Sequence, residues 1–275
     1  MYSEYNLTKE PATGVFQLSN MNKLLKYILL SILIILALWG ISKIPSQSSG
    51  VKLHIGIVQL RNTAKASQQE VLLAHFNTLL ARKIASKEAG KITITKGSFS
   101  QLKHAFDKGQ IDLLLSTAPS KLNLSSKHLI TMPYLYLPNV LLSRINQPLK
   151  SLTSLKKQPE IALANDLNVP ESLTAVPMKF KRYPANKAVQ ALEEKKVKGA
   201  IISTIDYAAL TQSTPQILET LQVNQTIPPI TAQKYFGIAK SQSISKINKI
   251  LEKLHNDDTL AQLSFHYFNQ DYTKQ

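Results

Sequence analysis

Apolar positions change their period several times between residues 51 and 270. VKLHIGIVQL (51–60) alternates and reads as a strand, after which Leu72, Leu73, Phe76, Leu79, Leu80 and Ile84 recur at helical spacing. KITITKG (91–97) reads as a second strand, SFSQLKHAFDKG (98–109) as a helix capped by Ser98 or Ser100, and residues 111–115 as a third strand. The order strand, helix, strand, helix, strand predicts a doubly wound lobe. ITMPYLYLPNVLLSR (130–144) holds two prolines and reads as a segment crossing between lobes rather than as a buried strand. A second lobe comes next, with a short helix at SLTSLKK (151–157), a strand at EIALA (160–164), a helix over 186–196, a strand over 199–203 and a helix from about 205. PITAQKYFGIAK (229–240) reads as a return strand. Ile244, Ile247, Leu251 and Leu254, then Leu260, Leu263 and Tyr267, mark terminal helices that come back to the first lobe. Crossings near 137–143 and 234–239 together predict a hinge.

One phrase occurs twice. DKGQIDLLLST (107–117) and EKKVKGAIIST (194–204) each come after a helix-like run, pass a charged turn, enter a short apolar strand and stop at Ser-Thr. A strand without polar alternation suits the centre of a parallel sheet, and ligands collect beyond the carboxyl ends of such strands. Ser116-Thr117 and Ser203-Thr204 are therefore expected at equivalent tips facing each other across a cleft. Either they donate hydrogen bonds to a ligand or they cap the helices after them, since Ser203 and Asp206 have capping-box spacing.

YILLSILIILALWGI (27–41) runs for fifteen residues without a charge, after Lys23 and Lys26 and before Lys43. With Leu24 and Leu25 it approaches the ~20 residues that cross a bilayer. The flanking lysines predict a signal anchor over 24–42 that exports the chain from residue 43 onward; a signal segment cleaved after Ser42 is the alternative. Residues 1–23 read as a cytoplasmic tail, or Met21 is the true start, and IPSQSSG (44–50) reads as a linker.

Composition narrows the function classes. At 275 residues and 44% hydrophobic content the chain can build a core, and without cysteine it has no disulfide framework, thiolate metal site or cysteine nucleophile. Beyond residue 42, 30 Lys and Arg stand against 15 Asp and Glu, which favours anionic partners. The lysines form no block interleaved with aromatics, which argues against nucleic acid. Six histidines show no metal-ligand spacing, and the Ser-x-x-Lys matches at 100–103 and 154–157 lack the partner motifs of a hydrolase. No cofactor, metal or enzymatic activity is expected.

Four segments resemble the family 3 extracellular solute-binding proteins, the two-lobed receptors of polar amino-acid importers. GQIDLLLSTAPSK (109–121) is similar to the family's strand ending in a Thr-Pro-x-Arg-like turn, and MPYLYLPNVLLSR (132–144) to its Pro-Tyr-Tyr hinge strand. SLTSLKKQPEIALAND (151–166) resembles the opening of its second lobe, and KYFGIAKSQSISKINKILEKLHNDDTLAQLSFHYF (234–268) its ending. The resemblance implies an α/β, two-lobed periplasmic-binding-protein-like fold (type II), each lobe a doubly wound sheet, after an N-terminal transmembrane helix. Lobe one would comprise 51–138 plus 239–275, and lobe two 139–238.

The resemblance also implies ligand positions, and the chain departs from the family at several of them. The arginine that pairs with a ligand carboxylate is here Lys121, the usual aspartate after the second-lobe strand is Thr204 with Asp206 two residues on, and the usual Gly-Thr is Asp166-Leu167. Arg61, just past the first strand, is the better candidate for bidentate pairing. The candidate ligand residues are Arg61, Ser116, Thr117, Lys121, Tyr134, Asp166, Thr204 and Asp206. Tyr134 either stacks on a ligand or packs the hinge, and Asp166 either caps a helix or receives an amine. The expected protein is a receptor on the bacterial inner membrane, held through 24–42 with its main domain in the periplasm. It would close on a small polar, anionic molecule and serve importer membrane subunits or a signalling partner. The alternative is a fold that has lost its ligand and acts as an interaction module in an envelope assembly.

Overall fold

The computed structural model describes residues 53–60, 62–63, 66–87, 92–117, 129–149, 160–175, 178–224 and 230–274. The expected tail, anchor and linker, the helix at 151–157, Arg61 and Lys121 lie outside the described residues. Among those described, no helix is long and apolar enough to cross a membrane.

In chain order the elements are β1 (Leu53–Val58), α1 (Gln68–Ser86), β2 (Ile92–Gly97), α2 (Phe99–Asp107), β3 (Leu113–Leu115), β4 (Leu129–Ile130), β5 (Leu135–Leu137), β6 (Asn139–Arg144) and β7 (Glu160–Ala164). A 3-10 turn (Glu171–Leu173) precedes β8 (Lys179–Tyr183), α3 (Ala185–Glu193), β9 (Gly199–Ser203), α4 (Thr204–Ser213) and α5 (Ile217–Thr220). Last come β10 (Leu221–Val223), β11 (Gln233–Tyr235), β12 (Gly237–Ala239), α6 (Ser241–Asn256) and α7 (Thr259–Phe268).

Among the described residues two five-stranded sheets carry the fold, in the orders β2-β1-β3-β12-β4 and β8-β7-β9-β6-β10. They correspond strand for strand. In each the first three strands are parallel, and the fourth runs antiparallel to the third and fifth. The repeated phrase thus falls on one architectural unit: β3 and β9 hold the third place in their sheets, each preceded by a nine-residue helix, α2 and α3. The apolar spelling results from burial. Leu113 and Leu115 face the core beneath α1, α6 and α7, while Leu114 faces a second cluster with Leu102, Phe106 and Ile238. A strand covered on both faces has no polar side to show. In the second lobe Leu163, Ile201, Ala188 and Leu192 form the equivalent core.

The terminal helices α6 and α7 bury Ile247, Leu251, Leu254, Leu260 and Leu263 against the first lobe. Between the lobes, β5 and β11 pair antiparallel, Leu135 opposite Tyr235 and Leu137 opposite Gln233. The segment 130–144 does cross there, but the expectation that it holds no buried strand is corrected. Its second half is β6, between β9 and β10, with Leu141 and Leu142 buried. Pro133 precedes β5 and Pro138 stands between β5 and β6, so neither proline removes a donor from a ladder. The expected return strand is two short strands, β11 and β12, broken at Phe236.

Candidate functional site

The site begins at the amino end of α1. Ser67 has extended backbone (φ −68°, ψ 158°), its Oγ accepts from the Glu70 amide at 3.1 Å, and Glu70 Oε2 accepts from the Ser67 amide at 3.3 Å. That reciprocal cap fixes where the first turn of α1 points. From the second lobe two carboxylates meet it. Asp166 lies just beyond β7. Asp206 sits in the first turn of α4, where Ser203 Oγ accepts the Asp206 amide at 2.9 Å and donates to Asp206 Oδ2 at 2.7 Å.

Across the interface Gln69 N–H donates to Asp206 Oδ1 at 3.2 Å. Asp166 Oδ2 accepts from Ser67 Oγ at 3.1 Å and from Gln69 Nε2 at 3.3 Å. The same amide nitrogen donates to the Tyr235 hydroxyl at 2.8 Å, whereas Gln69 Oε1 is buried with no hydrogen-bond partner among the described residues. Gln69 is 0% exposed and Asp166 and Asp206 are each 3% exposed. Burial pushes the Asp166 carboxyl up to about 7, reinforced by the charges of Asp206 and Glu70. Burial also raises Asp206, opposed by the Ser203 hydroxyl and the amides of Gln69 and Gln68.

Beside these contacts a groove of about 680 Å³ is lined by Ser67, Glu70, Asn165, Asp166, Lys187 and Asp206, among others. Among the described residues that line it, three carry carboxylates (Glu70, Asp166 and Asp206) and one an ammonium (Lys187). On the other side of α4 a groove of about 740 Å³ is walled by Thr204, Ile205, Tyr267, Phe268 and Tyr272.

The expected site residues are thus divided. Asp166 and Asp206 are brought together. Ser116 and Thr117 stand at the β3 tip, both buried, and the Ser116 carbonyl accepts from Asn77 Nδ2 at 3.2 Å. Thr204 lies on the far side of α4 with its amide and hydroxyl both donating to the Pro138 carbonyl. Tyr134 is not at the groove: it is 1% exposed, stacks on Phe76 with ring centroids 6.0 Å apart, and donates its hydroxyl to Asn77 Oδ1 at 3.1 Å. Ser67, Gln69 and Glu70 were not anticipated, although Ser67 and Glu70 spell a capping box at the head of a periodic helix.

Two lobes of matched topology, joined by a short crossing ladder, enclose a polar groove between the head of α1 and the strand ends of the second lobe. A profile of the bacterial extracellular solute-binding proteins, family 3, matches residues 73–270. The chain belongs to that family. No curated protein matches it. Among solved structures it is similar to the GluR0 ligand-binding core in complex with L-glutamate, at 17% identity and TM-score 0.56, over 80% of this chain and 99% of that one. It is also similar to the L-cystine solute receptor of Neisseria gonorrhoeae in its unliganded open conformation, at 14% identity, TM-score 0.53 and coverage of 82% and 95%. An arginine transport-system periplasmic binding protein from Legionella pneumophila is similar at 15% identity, TM-score 0.52 and coverage of 79% and 99%. At such identities the likeness is one of fold. Family 3 proteins are extracellular proteins that bind small solutes.

Proposed function

We propose that this family 3 protein is a membrane-tethered, periplasm-facing receptor whose lobes close on a small polar solute for transport or sensing. The observation that carries the reading is the convergence of Asp166 and Asp206 from one lobe on the first turn of α1 from the other, at the wall of a groove of small-molecule size. The chemistry of the groove refines the ligand. Glu70, Asp166 and Asp206 favour a solute that presents an ammonium or another hydrogen-bond-donating group. The anionic group expected from the basic composition has Arg61 and Lys121 as its candidate partners. Residues 24–42 supply the tether, which keeps the receptor beside importer subunits or a signalling partner.

A direct test is thermal unfolding of the full-length chain, refolded to strip carried solute, against amino acids, amines, dicarboxylates and muropeptides. A solute at ~100 times its dissociation constant adds about 2.7 kcal/mol to stability and raises the melting temperature. The shift is expected to vanish in Asp166→Ala. A second reading, an interaction module without a ligand, is favoured by the direct hydrogen bonds between the lobes, and the absence of any shift across the panel would establish it over the first.

A further inference from the structure

We propose that the lobes latch onto each other without a solute, Asp206 and Asp166 taking the place of a ligand at the amino end of α1, so that solute entry requires the latch to release. The inference rests on the receptor reading and concerns the control of that same groove.

The first turn of any helix leaves its amides without intrahelical acceptors, and its end of the helix dipole is positive, so it attracts an anion. In α1 the cap Ser67 serves the Glu70 amide, and the Gln69 amide is left to Asp206 of the opposite lobe. A second carboxylate, Asp166, takes the hydroxyl of the cap and the side-chain amide of Gln69. Backbone, cap and side chain of one lobe are thus all held by two acids of the other. These contacts are shielded from water, which strengthens them relative to surface pairs.

The same geometry makes the latch releasable. Among the described residues Gln69 Oε1 has no donor, a cost that ends when the lobes part and water reaches it. Asp166 faces Ser67, Gln69 and Glu70 from α1, Asp206 from α4 and Tyr235 from β11, while Lys187 of α3 lines the groove alongside. Burial opposes ionisation of the Asp166 carboxyl, and the nearby acids Asp206 and Glu70 act in the same direction. A solute bearing an ammonium group satisfies those carboxylates and frees the first turn of α1; the latch competes with it.

The chain has no cysteine, so spin labels at Ser86→Cys on α1 and Gln190→Cys on α3 are unique. Double electron–electron resonance on the solute-free, full-length protein is expected to show the short interlobe distance, and Asp206→Ala to add a longer-distance population. Gln69→Ala, which removes the amide shared by Asp166 and Tyr235, is expected to do the same and serves if Asp206→Ala does not fold by circular dichroism. A long distance in the solute-free wild type, or a short one in folded variants, overturns the latch. Melting shifts with solute in the same samples report on the receptor reading separately: a latch that fails while solute still raises the melting temperature leaves that reading intact.

Discussion

Asn77 shows how one buried polar residue can position a site it never touches. It lies on the apolar face of α1, 0% exposed, donating to the Ser116 carbonyl at the tip of β3 and accepting from the Tyr134 hydroxyl. The tip of a first-lobe strand is thereby tied to the helix whose first turn meets the second lobe. Desolvation drives the Tyr134 hydroxyl well above its usual pKa, so it remains a donor across the physiological range. Tyr134→Phe keeps the stacking on Phe76 and leaves Asn77 Oδ1 with its donor removed. It is expected to cost about 1–3 kcal/mol in urea unfolding while leaving solute affinity unchanged. A loss of affinity without a loss of stability would return Tyr134 to the site.

At the scale of elements, the twin units end their helices in the same way. After α2, Gly109 has φ +81°, its amide donates to the Phe106 carbonyl and the Gln110 amide to the Ala105 carbonyl. After α3, Lys195 takes the same place with φ +60°, its amide bonded to Leu192 and that of Lys196 to Ala191. Both are left-handed helix ends, which glycine enters without a Cβ penalty. An L residue pays about 1–2 kcal/mol there. Lys195→Gly is therefore expected to raise unfolding stability by about 1 kcal/mol, net of the entropy that glycine adds to the unfolded chain. Gly109→Ala is expected to lower it by a similar amount, and chemical denaturation of the two variants checks both signs. At the edge of the second sheet, β8 displays Lys179 and Lys181 to solvent, a charged rim of the kind that discourages edge-to-edge pairing.

For the whole molecule the consequence is a dependence on pH. The folded state holds the Asp166 carboxyl at about 7 against an ordinary 3.8, so folding takes up a proton between those values. Its contribution is fully present below the ordinary value and is lost as pH rises through about 7. Melting temperature and interlobe closure are both expected to fall as pH rises from roughly 4 to 7 and to level off above. Asp166→Asn does not ionise, and its profile is expected to be shallower over that range; a profile as steep as that of the wild type would place the titration elsewhere.

The sequence by itself determined the local units and their order. Hydrophobic period revealed β1, β2, β3, β7 and β9 and the helices α1 to α4, α6 and α7, the repeated phrase marked β3 and β9, and capping residues lay at the starts of α2 and α4, because all these depend on neighbours within a few positions. The same local reading took 130–144 for a crossing without a buried strand, since proline content alone does not say where in a ladder a proline falls. It missed β8, whose KFKRY has too many charges to show an apolar face at a sheet edge. Only the tertiary structure decided that Gln69 and Asn77 are buried on α1 while Leu72 and Leu79 are half-exposed. Likewise, nothing local joins Gln69 to Asp166 and Asp206, which lie 97 and 137 positions away. Those contacts exist because the fold brings the head of α1 against the strand ends of the second lobe, and the resulting burial, rather than the residue's own chemistry, raises the Asp166 carboxyl.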